Sequence, residues 1–403
     1  MMNQMKIQLR PHQERGVAAM EKHNKGQLIK PTGAGKTLTM IYDALRELQS
    51  ETPQTIVVVA PRILLAEQLS AEFLEFITNA AVLHIHSGET HHFSTTKPSE
   101  ILQWNQIVTR AFNPDAPKHK LIFTTYNSLS RLQVAEVDVD TIYFDEAHNS
   151  VKRNFFPATE HFAANARRCY FFTATRKTSL TPSKPGMNDR DVYGDIICRV
   201  SAPELVDGGY IIAPKIVAKK FDVLAPKQVT AECDSSNLMD TLEDIDCKKI
   251  LVCVKSAKQL INLMSHTDCA AQLNQRGYSY LYITSKTGAI IDGKKVNREV
   301  FFDTLNAWGR DPNKKFVCFH RSILSEGINV SELEAVVFLR NMDVIEMTQT
   351  IGRVLRLGGK EKVFGLCVVP VYSKVGVSTE RALQRVVDAV FEKGEMVDSV
   401  VRR

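Results

Sequence analysis

Within eight residues, Lys30-Pro31-Thr32-Gly33-Ala34-Gly35-Lys36-Thr37 brings together two glycines, a lysine and a hydroxyl. The glycines let backbone N–H groups turn inward on a phosphate, and a helix starting there adds the positive end of its dipole. Lys36 then reaches the β- and γ-phosphates, and the Thr37 hydroxyl reaches magnesium. The pattern G-x-x-x-x-G-K-[ST] is met at every place but the first, which is Lys30. A second group, Thr141-Ile142-Tyr143-Phe144-Asp145-Glu146-Ala147-His148, ends an apolar run in two carboxylates. Asp145 can hold magnesium through water, and Glu146 can position and deprotonate an attacking water. Pro31, Thr32, Gly33, Ala34, Gly35, Lys36 and Thr37 are therefore expected to bind a nucleoside triphosphate. Thr37 and Asp145 are the expected metal contacts, and Lys36 and Glu146 the expected catalytic pair.

That chemistry needs a sheet whose strands end at one edge. Gln27-Leu28-Ile29 leads into the glycine-rich turn, and Leu38, Ile41, Leu45 and Leu48 repeat at helical spacing behind it. Residues 55–60 (TIVVVA), 121–125 (LIFTT), 141–144 (TIYF) and 168–173 (RCYFFT) read as short buried strands, and 63–76 as a helix. Such alternation predicts a parallel α/β sheet. A second alternating set follows. Strands are expected at 250–254, 280–284, 316–320, 335–339 and 364–370, with a helix at 257–263 and an amphipathic helix at 379–393. Between the two sets, 201–226 carries paired glycines and prolines, and a polar stretch runs on to about 246. Residues 84–120 break the first pattern. His84, His86, His91 and His92 invite a metal reading, but no carboxylate or cysteine completes a ligand spacing, and an exposed polar loop around one helix is expected instead.

Composition narrows the classes. Apolar residues make up 44% and charged residues 24% of 403, which excludes a disordered or collagen-like chain. The formal charge of +6 is compatible with a polyanionic partner without requiring one. The eight cysteines show no C-x-x-C pair, and several lie in apolar runs, so reduced core thiols are expected. No apolar run approaches the ~18–20 residues of a membrane span, and MMNQMKIQLRPHQ has no signal-like apolar core. A soluble cytoplasmic or nuclear protein is the expectation.

With both groups in hand, the chain resembles the superfamily 2 helicases and translocases, in the group with DEAH at the second motif. Leu9-Arg10-Pro11-His12-Gln13 looks like that family's adenine-reading element, with His at a Tyr place; it implies nucleotide contacts for Arg10 and Gln13. Ala60-Pro61-Arg62 and Thr124-Thr125-Tyr126 resemble nucleic-acid motifs, and Thr173-Ala174-Thr175 the coupling motif. In the second half, Leu324-Ser325-Glu326-Gly327-Ile328-Asn329 looks like the fifth motif, with Asn329 where Asp is more frequent. Gln349-Thr350-Ile351-Gly352-Arg353-Val354-Leu355-Arg356 matches the sixth. Two arginines three apart share a helical face, and an arginine delivered across a cleft stabilises charge developing on the γ-phosphoryl oxygens. Arg356 is the first choice for that role and Arg353 the second.

The resemblance implies an α/β fold of two tandem RecA-like parallel-sheet domains, 1–205 and 206–375, and a short C-terminal helical tail, 376–403. It implies ATP and Mg2+ as cofactors, with Gly327 and Asn329 adding nucleotide contacts and Thr173, Thr175 and Gln349 coupling them to the partner. The implied partner is nucleic acid, gripped mainly through its phosphates by Arg62, Thr125, Tyr126, Lys255, Ser256 and Ser285. DNA is favoured over RNA because LRPHQ and PTGAGKT look closer to repair, recombination and restriction members. An RNA helicase with the same core, or a motor subunit that needs protein partners, is the alternative.

Overall fold

The computed structural model describes residues 8–88, 90–110, 117–181, 183–220, 229–254, 256–284, 286–320, 333–339 and 364–371, with 384–385, 387–388, 390, 393–394 and 399–400 near the C-terminus. Two compact units divide between Val200 and Ser201, and residues 398–403 belong to the first.

In the first unit the elements run α1 (Pro11–Lys22), β1 (Lys25–Ile29), α2 (Lys36–Glu47), β2 (Thr55–Ala60), α3 (Ile63–Leu74), β3 (Ala80–Ile85), α4 (Pro98–Thr109), β4 (His119–Thr125), α5 (Leu129–Val134), β5 (Thr141–Phe144), α6 (Phe156–Asn165), β6 (Arg168–Thr173), β7 (Lys177–Thr178), α7 (Arg190–Tyr193) and β8 (Ile196–Arg199). Seven strands form one parallel sheet in the order β3-β4-β2-β5-β6-β1-β8. Every residue of β2, β4, β5 and β6 is buried, as expected of strands covered on both faces. That double burial is why their sequences read as unbroken apolar runs.

Charge is buried at the N-terminal edge of the sheet. The Arg168 guanidinium, at the start of β6, donates to both Asp43 oxygens at 2.8 and 2.9 Å, and Tyr143 donates to the same carboxylate at 2.6 Å. Arg168 also donates to the Met20 carbonyl at 3.1 Å, and Tyr170 to the Met20 and His23 carbonyls at 2.7 Å each. This network ties the middle of α2 and the end of α1 to β5 and β6.

The second unit runs α8 (Ala202–Asp207), β9 (Ala213–Lys220), α9 (Thr230–Asp244), β10 (Lys249–Cys253), α10 (Ala257–Ser265), α11 (Cys269–Gln275), β11 (Ser279–Thr284), β12 (Gly288–Ile291), β13 (Lys294–Val296), α12 (Arg298–Arg310), β14 (Phe316–His320), β15 (Ala335–Phe338) and β16 (Phe364–Val371). Among the described residues its eight strands take the order β13-β12-β11-β14-β10-β15-β16-β9. β17 (Ser399–Val400) pairs in parallel with β7 of the first unit.

The expected tandem α/β architecture stands, with four differences. The second sheet is mixed, because β12 runs antiparallel to both β11 and β13. Asp292 and Gly293, both at positive φ (46° and 79°), close that hairpin as Asp-Gly pairs do. The polar stretch before 246 is the helix α9, whose Leu238, Met239 and Leu242 bury one face. His84 and His86 are not in an exposed loop: His84 lies in β3 at the sheet edge, and both are buried. Ser70 Oγ, the His84 ring and the His86 ring form a chain with contacts of 2.9 and 3.0 Å, so each imidazole is satisfied by its neighbour. Among the described residues no group of three metal-ligating side chains forms, and no helix is long and apolar enough to cross a membrane. The tail helix at 379–393 lies mostly outside the described residues, and residues 399–400 are strand. No disulfide forms among the described cysteines.

Replacing Arg168 with Leu leaves Asp43 buried without its guanidinium. The expected cost is about 3–5 kcal/mol, read by denaturant titration of Trp104 fluorescence in a Trp308→Phe background, which leaves one tryptophan, in the first unit.

Candidate active site

The parallel sheet puts the ends of β1, β6 and β5 side by side at one edge. After β1 the chain turns through Gly33 (φ 89°) and Gly35 (φ 67°), and α2 starts at Lys36. Glycine suits position 35 because the backbone there is left-handed, and a Cβ would push the end of the Gln13 side chain aside. Lys36 and Thr37 occupy the first turn of α2, where uncompensated N–H groups favour an anion.

Lys36 Nζ donates to Glu146 Oε1 at 2.9 Å, joining the phosphate loop to the end of β5. Glu146 holds its carboxylate there from a left-handed backbone (φ 46°), a conformation that costs a non-glycine residue energy. Asp145 is buried. Desolvation pushes its carboxyl up to about 7, with Lys36 opposing and Glu146 adding to the rise. Beneath it, the buried Tyr126 hydroxyl donates to the Asp145 carbonyl at 2.9 Å, and the Tyr126 ring stacks on Phe155.

His148 is pushed down to about 4, chiefly by burial, so its ring is neutral at pH 7. Asn149 Nδ2 donates to His148 Nε2 at 3.2 Å, which leaves the ring proton on Nδ1. Nδ1 then donates to Thr173 Oγ1 at 3.1 Å, and Thr173 donates to the Thr175 carbonyl at 2.9 Å. A directional hydrogen-bond chain therefore runs from the segment after β5 to the segment after β6.

The site gathers Lys36, Thr37, Asp145 and Glu146, with Thr173 and Thr175 one contact away through His148. Pro31, Thr32, Gly33 and Ala34 form the approach to the loop. Gln13 is buried against it, its Oε1 accepting from Arg10 N at 2.9 Å and its Nε2 donating to the Gly35 carbonyl at 3.3 Å. Both ends of the amide expected to read adenine are thus engaged within the protein. Tyr126 and Thr125 are buried, and the Tyr126 hydroxyl is engaged with the Asp145 carbonyl. Arg62 is exposed at the N-cap of α3, and Ser256 caps α10 by accepting from Gln259 N at 3.0 Å. Lys255, Ser285, Gly327, Asn329, Gln349, Arg353 and Arg356 lie outside the described residues. Sequence reasoning gave no role to His148, or to Lys30, which is fully buried and donates to Thr39 Oγ1 at 2.9 Å. The Lys30 ammonium fits because Gly16 of α1 has no side chain; a Cβ there would lie 2.5 Å from Nζ.

A divalent cation fits this donor set. Thr37 supplies a hydroxyl and Asp145 a carboxyl, and a cation would offset the carboxylate charge that burial disfavours. The linkage has a definite sign. A carboxyl raised from about 4 to about 7 stabilises the fold at low pH, and that contribution is lost as pH rises from about 4 through 7. Asp145→Asn should therefore raise the melting temperature at pH 8 in the absence of metal and leave it little changed at pH 4. Adding Mg2+ at pH 8 should stabilise the wild type and not the variant. Thermal melts across pH 4–8 check both.

Residues 6–178 match the family model described as type III restriction enzyme, res subunit. No curated protein matches the sequence. Among solved structures, the ATP-dependent type ISP restriction-modification enzyme LlaBIII bound to DNA superposes with a TM-score of 0.75 at 17% identity, over 98% of this chain and 31% of that one. A nuclease-deletion mutant of the type ISP enzyme LlaGI with a DNA substrate mimic gives 0.67 at 19%, over 97% and 30%. S. cerevisiae Dbp5 bound to RNA and ADP BeF3 gives 0.57 at 15%, over 98% and 95%. The chain thus spans about a third of the length of the restriction enzymes it superposes on. At these identities the structures show the fold, and the family match covers the unit that carries the phosphate loop. The first unit is accordingly similar to that restriction-subunit family, and the chain has the tandem RecA-like fold of these structures.

Proposed function

We propose that this chain is a nucleic-acid-stimulated ATPase that works as a DNA helicase or translocase. The observation that carries the reading is the convergence of Lys36, Thr37, Asp145 and Glu146 at one sheet edge, with Lys36 and Glu146 2.9 Å apart. In this reading the Gly33–Thr37 loop binds the phosphates of ATP, and Lys36 leaves Glu146 to meet them. Freed from Lys36, Glu146 orients and deprotonates the attacking water. Thr37 and Asp145 would hold Mg2+, which would supply positive charge to the phosphate oxygens. The chain from His148 through Thr173 to Thr175 ties Glu146's surroundings to the segment expected to sense the strand. Arg356, or failing it Arg353, stabilises the transferring phosphoryl group.

DNA is the favoured partner because two similar structures are DNA-bound restriction enzymes and the matched family model is a restriction subunit. RNA is the second reading, favoured by the RNA-bound Dbp5 structure, which this chain matches over nearly its whole length. The greater length of the restriction enzymes supports action beside further domains or partner proteins.

Steady-state ATPase rates with single-stranded DNA, duplex DNA and RNA at one low salt concentration test this. Stimulation by DNA above RNA is expected, with affinity falling steeply as salt rises; stimulation by RNA alone moves the function to RNA remodelling. Lys36→Ala should abolish hydrolysis. Glu146→Gln should retain ATP binding and slow turnover, and Arg356→Ala should lower kcat by ~10³. A wild-type rate in Arg356→Ala removes that residue from the role.

A further inference from the structure

The first turn of α1 grips the phosphate loop at two successive peptide groups. His12 Nε2 lies 3.0 Å from the Ala34 carbonyl. A carbonyl oxygen only accepts, so Nε2 carries the ring proton. Next in the chain, Gln13 Nε2 donates to the Gly35 carbonyl at 3.3 Å, and its Oε1 accepts from Arg10 N, which fixes the sense of the amide. Both side chains are 1% exposed, so each hydrogen bond is made in a low-dielectric setting and is costly to leave unmade.

The consequence lies on the other side of each peptide plane. In a planar trans peptide, the C=O of one residue and the N–H of the next point in opposite directions. Drawing the Ala34 carbonyl toward α1 aims the Gly35 N–H away from it, while the Gly35 carbonyl is shared between Gln13 and the first turn of α2, accepting from Thr39 N and Thr39 Oγ1 at 3.3 Å each, so both helices set the Lys36 N–H. Those two N–H groups flank the start of α2, where a phosphate would sit. Below them, Lys30 Nζ is anchored to Thr39 Oγ1 under Gly16, so the strand end feeding the loop is held by the same pair of helices.

We infer that His12 is a positioning residue for the nucleotide phosphates, acting through the Ala34 carbonyl to preset the loop's amide directions. It touches no phosphate itself. The inference rests on reading the loop as an ATP site and adds to that reading a residue that the LRPHQ element marked only as a His at a Tyr place. A loop with its donors already aimed pays less ordering cost when ligand arrives. Losing the His12 bond should therefore weaken phosphate-dependent binding and leave recognition of the nucleoside alone.

The test compares His12→Ala and His12→Gln with the wild-type chain. A glutamine Nε2 can occupy the place of the imidazole Nε2 and restore the donor. The measurements are the Kd for a fluorescent ADP analogue, the KM and kcat for ATP, and competition by adenosine, which lacks phosphates. His12→Ala is expected to raise the Kd for ADP and the KM for ATP about tenfold, with adenosine competition unchanged and His12→Gln close to wild type. An unchanged Kd and KM in His12→Ala overturns the inference. So does an equal loss in both variants, which would make His12 a packing residue only. Should His12→Ala fail to fold, His12→Leu against His12→Gln makes the same comparison. A wild-type chain that binds no ADP at all overturns the ATP reading itself, a result distinct from any difference among variants.

Discussion

The Lys36–Glu146 ion pair spans the end of a strand. β6 lies between β1 and β5, so the pair bridges two strand spacings, about 10 Å of sheet. Only a parallel order that delivers three neighbouring strand ends to one edge lets a lysine after β1 meet a carboxylate after β5. Thr173, at the end of the intervening strand, sits beneath that bridge within reach of His148. The phosphate loop, the carboxylate pair and the threonine segment are therefore neighbours by topology. A change in any one is felt by the other two through hydrogen bonds of about 3 Å rather than through a long path.

The opposite edge of the same sheet carries a different kind of constraint. Arg168, Asp43, Tyr143 and Tyr170 bury charge and hydroxyls at the N-terminal ends of β5 and β6. Such a network fixes one arrangement more than it adds stability, since an apolar replacement of equal volume is often as stable. Here the arrangement fixed is the seating of α2, whose other end is the glycine-rich turn. Helix α2 is thus held at its middle by charge and at its start by the carbonyl contacts from α1.

Much of this was legible in the residues. TIVVVA, TIYF and RCYFFT read as strands because both faces of the sheet are covered, and a strand buried on both faces has no polar alternation to blur it. The glycine-rich loop and the Asp145–Glu146 pair read as a site because each motif is local. β3 escaped because a histidine stands at a buried position, and only the fold supplies the Ser70 and His86 partners that satisfy it. α9 escaped because its apolar face is sparse in a run of Ser, Asp and Asn. The antiparallel edge was signalled by Asp292-Gly293, but a parallel expectation for the whole sheet passed over it. His12, Lys30 and His148 stood within quoted motifs, but their contacts were not readable, because no spacing encodes which carbonyl or hydroxyl a buried imidazole or lysine will find. Tyr126 shows the converse: its place in a motif said nothing of its burial.

The pairing of β17 with β7 makes the first unit discontinuous along the chain. The chain leaves that unit after Val200, builds the second unit, and returns to it at Asp398. β7 follows directly on Thr173-Ala174-Thr175, so this segment acquires its strand partner last. On the ribosome, Lys177 and Thr178 emerge roughly 220 residues before Ser399 and Val400. At ~5–20 residues per second that gap is on the order of ten to forty seconds. Through that interval the nascent first unit can close its seven-stranded sheet, but the stretch after the threonine segment has no strand to lie against. Completion of the unit that carries the glycine-rich loop is thereby tied to the synthesis of the other unit.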